Sequence, residues 1–210
     1  AKKKSGGKRN TGIRAEQLGP WRYGDQYYTE HVLRYYSLAS ESNTSESAGD
    51  PAKIPVTERM KWLFPRGIPT TELDMQPYLT QIEVSIYTTS HKKGKMTLTV
   101  HKKLAQEIKA VFEEMTKLKF PVDPTCTAGY NWRHMASNKN KLSYHSYGSV
   151  IDLNWTHNGA TYTGWPYKPG EDKLAVTKKV VAVWKKHGFY WGGDWSAAYF
   201  DPMHFTYTNN

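Results

Sequence analysis

Two alternating segments near the middle of the chain constrain its fold most. In QIEVSIY and in MTLTV, apolar side chains recur at every second residue: Ile82, Val84, Ile86, Met96, Leu98 and Val100. A period of two places such side chains on one face of a strand. The intervening HKKG is a short polar connection of the kind that joins antiparallel strands. The pattern therefore predicts a β-hairpin with one buried face.

Helical periodicity follows the hairpin and returns near the C terminus. Apolar residues recur at helical spacing before Pro121, at Leu104, Ile108, Val111, Phe112, Met115 and Leu118. A second helix is predicted from about Asp172 to His187, with Gly188 as its C-terminal cap. The short apolar runs SVIDLNW, GFYW and MHFTY predict further strands. We therefore expect an α+β fold, in which a small mixed or antiparallel sheet is flanked by helices.

The N-terminal part of the chain has a different composition. Its first 14 residues hold six basic side chains and no acidic one, and so supply +6 of the net charge of +10: Lys2, Lys3, Lys4, Lys8, Arg9 and Arg14. An aromatic segment and the Ser-rich run ASESNTSESAGDPA follow, and the latter is typical of a flexible connector. We predict a tail, an aromatic segment and a linker over residues 1–53, and a main domain over residues 54–210.

The concentrated positive charge indicates which binding partners the tail would attract. A basic tail attracts anionic polymers, such as those of a cell wall, in a salt-sensitive way, and a solvated disordered end is the alternative. Nucleic-acid binding is not expected, because the charge lies mainly in the tail and no recognition motif is present. No apolar run approaches the roughly 20 residues of a membrane span, so no transmembrane segment is expected.

Charged residues in apolar surroundings indicate where the chemistry lies. The single cysteine, Cys126, leaves His, Asp and Glu as the expected ligands of any metal. Asp152 lies inside VIDLNW, and His204 lies inside DPMHF with Asp201 three residues before it. A charge in a buried strand needs a partner, and imidazole together with carboxylate suits zinc.

Two ordered motifs carry a family resemblance. Ser143, His145, Gly148 and Asp152 form a Ser-x-His-x-x-Gly-x-x-x-Asp pattern, and GGDWSAAYFDPMHF provides a Gly-Gly-x-Trp followed by Asp-x-x-His-Phe. Together they resemble the bacterial zinc D-Ala-D-Ala carboxypeptidase and L-Ala-D-Glu endopeptidase family, which includes vancomycin-resistance carboxypeptidases and phage endolysins. The similarity extends upstream to about Met75. It implies the zinc-binding fold that this family shares with hedgehog-type signalling domains.

The resemblance implies a role for each site residue. The zinc ligands would be His145, Asp152 and His204. Asp201 would be the general base, with a turn around Pro202 that lets Asp201 and His204 both approach the metal. Arg133 would be catalytic and face the substrate, where it would bind a carboxylate or polarise the scissile carbonyl. Ser143 would bond the substrate or a ligand, and Trp191 and Trp195 would line the cleft. Gly148 would allow close backbone packing.

The expected function is therefore that of a zinc metallopeptidase of peptidoglycan, with Zn²⁺ as cofactor and stem peptides as substrate. Which stem-peptide bond is cut stays open between the carboxypeptidase and endopeptidase reactions. The protein would be secreted, periplasmic or wall-associated, or else phage-encoded and released at lysis. The alternative is a non-catalytic, zinc-containing wall-binding or signalling module of the same fold. Asp201 favours the enzyme, because a purely structural site has no use for a carboxylate beside an open metal position.

Overall fold

The computed structural model describes residues 50–160 and 163–208. The predicted basic tail, the aromatic segment and most of the Ser-rich linker lie outside these residues, so the domain boundary at residue 54 stays a prediction. The described residues belong to one compact unit. Its start is tied to its end, because the Tyr207 hydroxyl donates a hydrogen bond of 2.7 Å to the Pro51 carbonyl.

The predicted hairpin forms the first sheet. Strands β1 (Leu79–Thr88) and β2 (Lys93–His101) pair antiparallel, with Ile82 opposite Leu98. The alternating apolar side chains of both strands are buried, as their spacing predicts. A short strand, β3 (Pro121–Val122), joins the other edge of β1 in parallel, so the order is β2-β1-β3. This mixed sheet confirms the hairpin and adds one strand to it.

The helices are α1 (Arg59–Leu63), α2 (Glu72–Met75), α3 (Ala105–Lys117) and α4 (Lys178–Lys186). Short 3₁₀ turns connect them to the strands, at Pro51–Lys53, Val56–Glu58, Gln76–Tyr78, Lys102–Leu104, Pro124–Cys126, Tyr144–Tyr147 and Gly192–Asp194. Helix α3 packs on β1 through the predicted apolar stripe, with Ile108 and Phe112 fully buried. Leu118 is the exception, because the helix ends before it and leaves it 44% exposed. No helix among the described residues is long and apolar enough to cross a membrane.

The predicted start of α4 is wrong. The helix begins at Lys178 instead of about Asp172, and the Thr177 side chain caps its first turn. Asp172 lies in the preceding loop, where its carboxylate accepts a hydrogen bond of 2.9 Å from the Leu174 amide. The predicted end is correct, since Gly188 follows the helix with a φ of 84°. Only a residue without a side chain adopts that angle at little cost.

The second sheet carries two of the predicted zinc ligands, Asp152 and His204. Its strands are β4 (Val150–Asp152), β5 (Tyr190–Trp191) and β6 (His204–Thr206), antiparallel in the order β4-β6-β5. Trp184 of α4 joins this sheet to the rest of the core. Its ring stacks on Phe205 at 4.7 Å and meets the edge of Phe112 at 6.0 Å. The α+β architecture is therefore confirmed, with one continuous core beneath both sheets.

Candidate metal centre

Strand alternation places an acid and a histidine on the same face of the second sheet. Ile151 and Phe205 are cross-strand partners and both are fully buried in the core. Their neighbours Asp152 and His204 are also partners, so their side chains point to the opposite face. There the Nδ1 atom of His204 lies 3.0 Å from Oδ1 of Asp152. The sheet thus supplies two polar groups at one point.

A short turn supplies the third group. His145 lies in the 3₁₀ turn Tyr144–Tyr147, whose first amides are capped by the Ser143 hydroxyl, which accepts a hydrogen bond from the His145 amide. The turn ends at Gly148, where φ is 61°. A Cβ atom there would lie 2.7 Å from the His101 backbone nitrogen, so the predicted close backbone packing is confirmed. The Ser-x-His-x-x-Gly spacing is therefore that of a capped turn leading into β4.

The orientation of His145 is set by the backbone. Its Nδ1 lies 2.7 Å from the Gly129 carbonyl oxygen and donates a hydrogen bond to it, so Nε2 is the nitrogen that faces Asp152. Nε2 lies 3.0 Å from Oδ2 of Asp152. Asp152 therefore contacts one histidine through each carboxylate oxygen. A histidine ligand held by a carbonyl on its other nitrogen is the usual arrangement in metal sites.

The three side chains form a set that could hold a metal ion. One donor atom from each of His145, Asp152 and His204 lies within 4.8 Å of the other two. The side chains are 6%, 18% and 12% exposed, respectively, so the cluster is nearly enclosed but open on one side. Two imidazoles and one carboxylate match the three protein ligands of a catalytic zinc site. The residues present therefore fit the ion that the family resemblance implies.

Electrostatics keep the acid of this set ionised. Burial by itself would raise the pKa of Asp152, but the charge of His145 and hydrogen bonds from both histidines hold that pKa well below its usual range. Burial lowers the pKa of His145, but the negative charge of Asp152 together with the hydrogen bonds to Asp152 and to the Gly129 carbonyl outweighs this effect, so the net shift is upward. Asp152 is thus ionised between two imidazoles, and a bound metal ion would replace the protons that they share with it.

Asp201 is held next to this set by the turn predicted around Pro202. Its backbone amide donates a hydrogen bond to the Gly192 carbonyl, and its own carbonyl accepts one from the His204 amide, at 3.0 and 3.1 Å. Gly192 lies against both residues, since a Cβ atom there would come within 3.2 Å of the Cβ atoms of Asp201 and His204. Asp201 is 8% exposed. The turn therefore brings a buried acid beside a predicted ligand.

The other predicted site residues border the cluster. The ring of Trp195 lies 5.3 Å from the ring of His204. The Trp191 indole donates a hydrogen bond of 2.8 Å to the Pro202 carbonyl and so supports the turn. Arg133 is exposed, and its backbone carbonyl accepts a hydrogen bond of 2.9 Å from the Ser143 amide, which places it on the strand-like segment beside the His145 turn. The Ser143 hydroxyl serves as the turn cap described above.

Two contributors were missed by sequence reasoning. The Gly129 carbonyl orients His145, but a backbone group carries no residue signature, so no pattern could have indicated it. The Ser146 hydroxyl is fully buried and binds both the amide and the carbonyl of Arg133, at 3.0 and 2.9 Å. Its only signal is its position between His145 and Gly148. Both residues fix the loop that faces the cluster.

Comparison with known proteins supports a peptidase. Residues 136–207 match a family model described as D-alanyl-D-alanine carboxypeptidase. The match spans His145, Asp152, Asp201 and His204, and it begins after Arg133. Neither the curated proteins nor the solved structures include a match to this chain. The family resemblance is confirmed over this region of the chain, and it indicates a hydrolase of the peptidase class.

Proposed function

We propose that this protein is a zinc-dependent peptidoglycan peptidase that hydrolyses one bond of the stem peptide. The bond is either the terminal one, as in a D-Ala-D-Ala carboxypeptidase, or the L-Ala-D-Glu bond, as in an endopeptidase. The supporting observation is the convergence of His145, Asp152 and His204, with Asp201 beside them, inside the region that matches the peptidase family. Neither the charge nor the composition of the chain would support this by itself.

In this proposal the metal ligands are Nε2 of His145, Nδ1 of His204 and the carboxylate of Asp152. Zinc bound there would lower the pKa of a coordinated water to about 7 and polarise the scissile carbonyl. Two features of the chain prepare the ligands for this task. The Gly129 carbonyl keeps the proton of His145 on Nδ1, and the low pKa of Asp152 keeps its carboxylate ionised.

Asp201 is the proposed general base. Its carboxylate would accept a proton from the attacking water and deliver that proton to the nitrogen of the departing amine as the peptide bond breaks. Backbone hydrogen bonds of the turn link Asp201 to His204 and to Gly192. Gly192 packs closely against both Asp201 and His204. An acid fixed by backbone bonds loses little entropy when it acts, so it is well suited to proton transfer.

Substrate contacts are proposed for the border residues. Arg133 is exposed on the segment hydrogen-bonded to the start of the His145 turn, and it would bind a substrate carboxylate or the oxygen of the scissile carbonyl. Trp195 lies against the ring of His204 and would form one wall of the cleft, with Trp191 behind it. Ser143 would act through the turn that carries His145. Specificity between the two bonds would depend on these surroundings, since the metal ligands serve both reactions.

The substrate implies where the protein acts. Peptidoglycan lies outside the cytoplasm, so we propose that the protein is secreted, periplasmic or wall-associated, or is released at lysis from a phage-infected cell. The six basic residues of the tail would hold it near anionic wall polymers. This attraction would weaken as salt is added, because exposed charges are screened.

Digestion of purified muropeptides followed by mass spectrometry tests the proposal. Loss of one terminal alanine would identify a carboxypeptidase, and separation of L-Ala from the remaining stem would identify an endopeptidase. Treatment with a chelator should abolish the activity, and zinc should restore it. His145→Ala should be inactive, whereas His134→Gln should be active, since it alters an exposed histidine outside the ligand set. A zinc-loaded protein that cleaves no stem peptide would leave the non-catalytic binding module as the better reading.

A further inference from the structure

A second group of metal-binding side chains lies away from the centre described above. One donor atom each from Asp123, Cys126 and His157 lies within 4.8 Å of the other two. Asp123 caps the 3₁₀ turn after β3, Cys126 ends that turn, and His157 belongs to the loop after β4. The cysteine is 3% exposed, while the acid and the histidine are partly exposed. The group therefore has a buried sulfur and a side that is open to solvent.

The histidine of this group is oriented as a metal ligand would be. Nδ1 of His157 lies 2.7 Å from Oδ2 of Asp172, a carboxylate from a third segment of the chain. With Nδ1 engaged by Asp172, Nε2 is the nitrogen left to coordinate a metal. A carboxylate that binds the far nitrogen of a ligating histidine fixes its tautomer and raises its basicity. The group thus includes its own orienting residue.

A rigid polar network holds the three segments together. The buried side chain of Asn154 accepts a hydrogen bond from the Asp123 amide at 2.8 Å and donates one to the Leu174 carbonyl at 3.1 Å. Asn158, also buried, donates to the same carbonyl at 3.0 Å and accepts from the Val176 amide at 2.7 Å. The backbones that carry the acid, the histidine and Asp172 are therefore fixed. Preorganisation of this kind is what a specific metal site requires.

We propose that Asp123, Cys126 and His157 form a second metal site, which takes a zinc-like divalent ion and is supported by Asp172. Thiolate and imidazole select zinc or cobalt over magnesium and calcium. Donor atoms around a tetrahedral zinc lie about 3.5 Å from one another, so small side-chain rotations would close the group around an ion. A water molecule would occupy the fourth position on the exposed side. The site would cross-link three loops of the domain, and it does not depend on the proposed peptidase activity.

Metal binding would involve the buried sulfur of Cys126 as a thiolate. Binding a divalent metal would displace the thiol proton to solvent, so one proton would be released per ion bound. The expectation that only His, Asp and Glu hold metal in this chain is then incomplete, because one cysteine suffices in a mixed site.

Cobalt substitution of the 210-residue chain tests the proposal directly. Cys126 is the only cysteine in the chain, and the first centre has only nitrogen and oxygen donors. A near-ultraviolet sulfur-to-cobalt charge-transfer band can therefore arise from the second site alone. We expect the band in the unmodified protein and in His145→Ala, and its loss in Cys126→Ser. Zinc analysis after dialysis should give two ions per chain in the unmodified protein and one in each of these variants.

Further variants keep the test decisive if Cys126→Ser fails to fold. Asp172→Asn retains all three ligands and should lower metal affinity about 10- to 100-fold in chelator competition while keeping the band. His91→Asn is the matched control, because it removes an exposed histidine outside both groups, and it should change neither zinc content nor the band. An unmodified protein that binds a single zinc and shows no sulfur-to-cobalt band would overturn the proposal. A band without any peptide hydrolysis would support this site and count only against the peptidase function.

Discussion

Replacing Asp201 with asparagine tests whether the acid beside the metal centre performs chemistry. Asparagine has nearly the same size as aspartate but does not accept a proton from water. The turn should survive the change, because it is held by backbone hydrogen bonds between Asp201 and its neighbours Gly192 and His204, at 3.0 and 3.1 Å. The three ligands are untouched, so zinc content should be unchanged.

The size of the rate loss, compared with the loss of stability, separates a catalytic role of Asp201 from a structural one. Loss of a general base costs about 10²- to 10⁴-fold in rate, which corresponds to about 3 to 5 kcal/mol of transition-state stabilisation. The free energy of unfolding should change by less than about 2 kcal/mol, because the side-chain volume and the backbone bonds of the turn are kept. We therefore expect a large kinetic effect without a comparable loss of stability.

The assay measures turnover of a soluble stem peptide, zinc content and thermal midpoint on one preparation. Asp194→Asn is the matched control, because it makes the same chemical change on the nearby 3₁₀ turn, where the carboxylate is half exposed and pairs with Lys185 at 2.6 Å. Its activity should be close to that of the unmodified protein. Full hydrolysis by Asp201→Asn with metal and fold intact would refute the catalytic role. Loss of zinc would instead make Asp201 a ligand.

Three further changes probe the turn, the core and the tail. Gly192→Ala should reduce zinc affinity, and it should lower the rate of hydrolysis about a hundredfold, because its Cβ atom would lie 2.4 Å from the Asp201 carbonyl oxygen. An active variant with normal zinc binding would contradict this expectation. Burial and the charge of Lys103 lower the pKa of His101 to about 3, so the unfolded chain binds the proton more tightly and stability falls as pH falls below about 6.5. Between pH 7 and pH 5 this histidine should account for about 2 kcal/mol of lost stability in urea unfolding, and equal losses in His101→Gln and the unmodified protein would refute it. Deletion of residues 1–14 should weaken binding to isolated cell walls at low salt and leave turnover of a small peptide unchanged, whereas equal wall binding would show that the tail has no such partner.

Local patterns predicted the parts of the fold that depend on local rules. The hairpin follows from strict alternation, which Ile82 and its partner Leu98 satisfy on one buried face. The start of α4 could not be predicted in this way, because Ala175 and Val176 are fully buried in a loop and so imitate the apolar face of a helix. What decides the helix boundary is the use of Asp172, whose carboxylate binds the Leu174 amide and the His157 ring instead of capping a helix.

In the candidate site, too, local sequence predicted some features and tertiary structure determined the others. Asp152 and His204 were noted because each lies between apolar neighbours, and all three ligands, including His145, were predicted from the family resemblance. The contacts that orient them depend on tertiary structure. The Gly129 carbonyl reaches His145 across a loop, and Cys126 meets His157 from a segment 31 residues earlier. A lone cysteine shows no spacing pattern, so only the folded chain reveals its partners.

A crystal structure of the zinc-loaded protein, with anomalous scattering recorded on both sides of the zinc absorption edge, is the sharpest test of the proposed metal centre. We expect an anomalous peak coordinated by Nε2 of His145, Nδ1 of His204 and the carboxylate of Asp152, at the distances of about 2.0 to 2.2 Å that zinc makes to nitrogen and oxygen. Asp201 should lie beside the ion without being one of its three protein ligands. An ordered site with no zinc at these side chains, at full metal loading, would contradict the proposal.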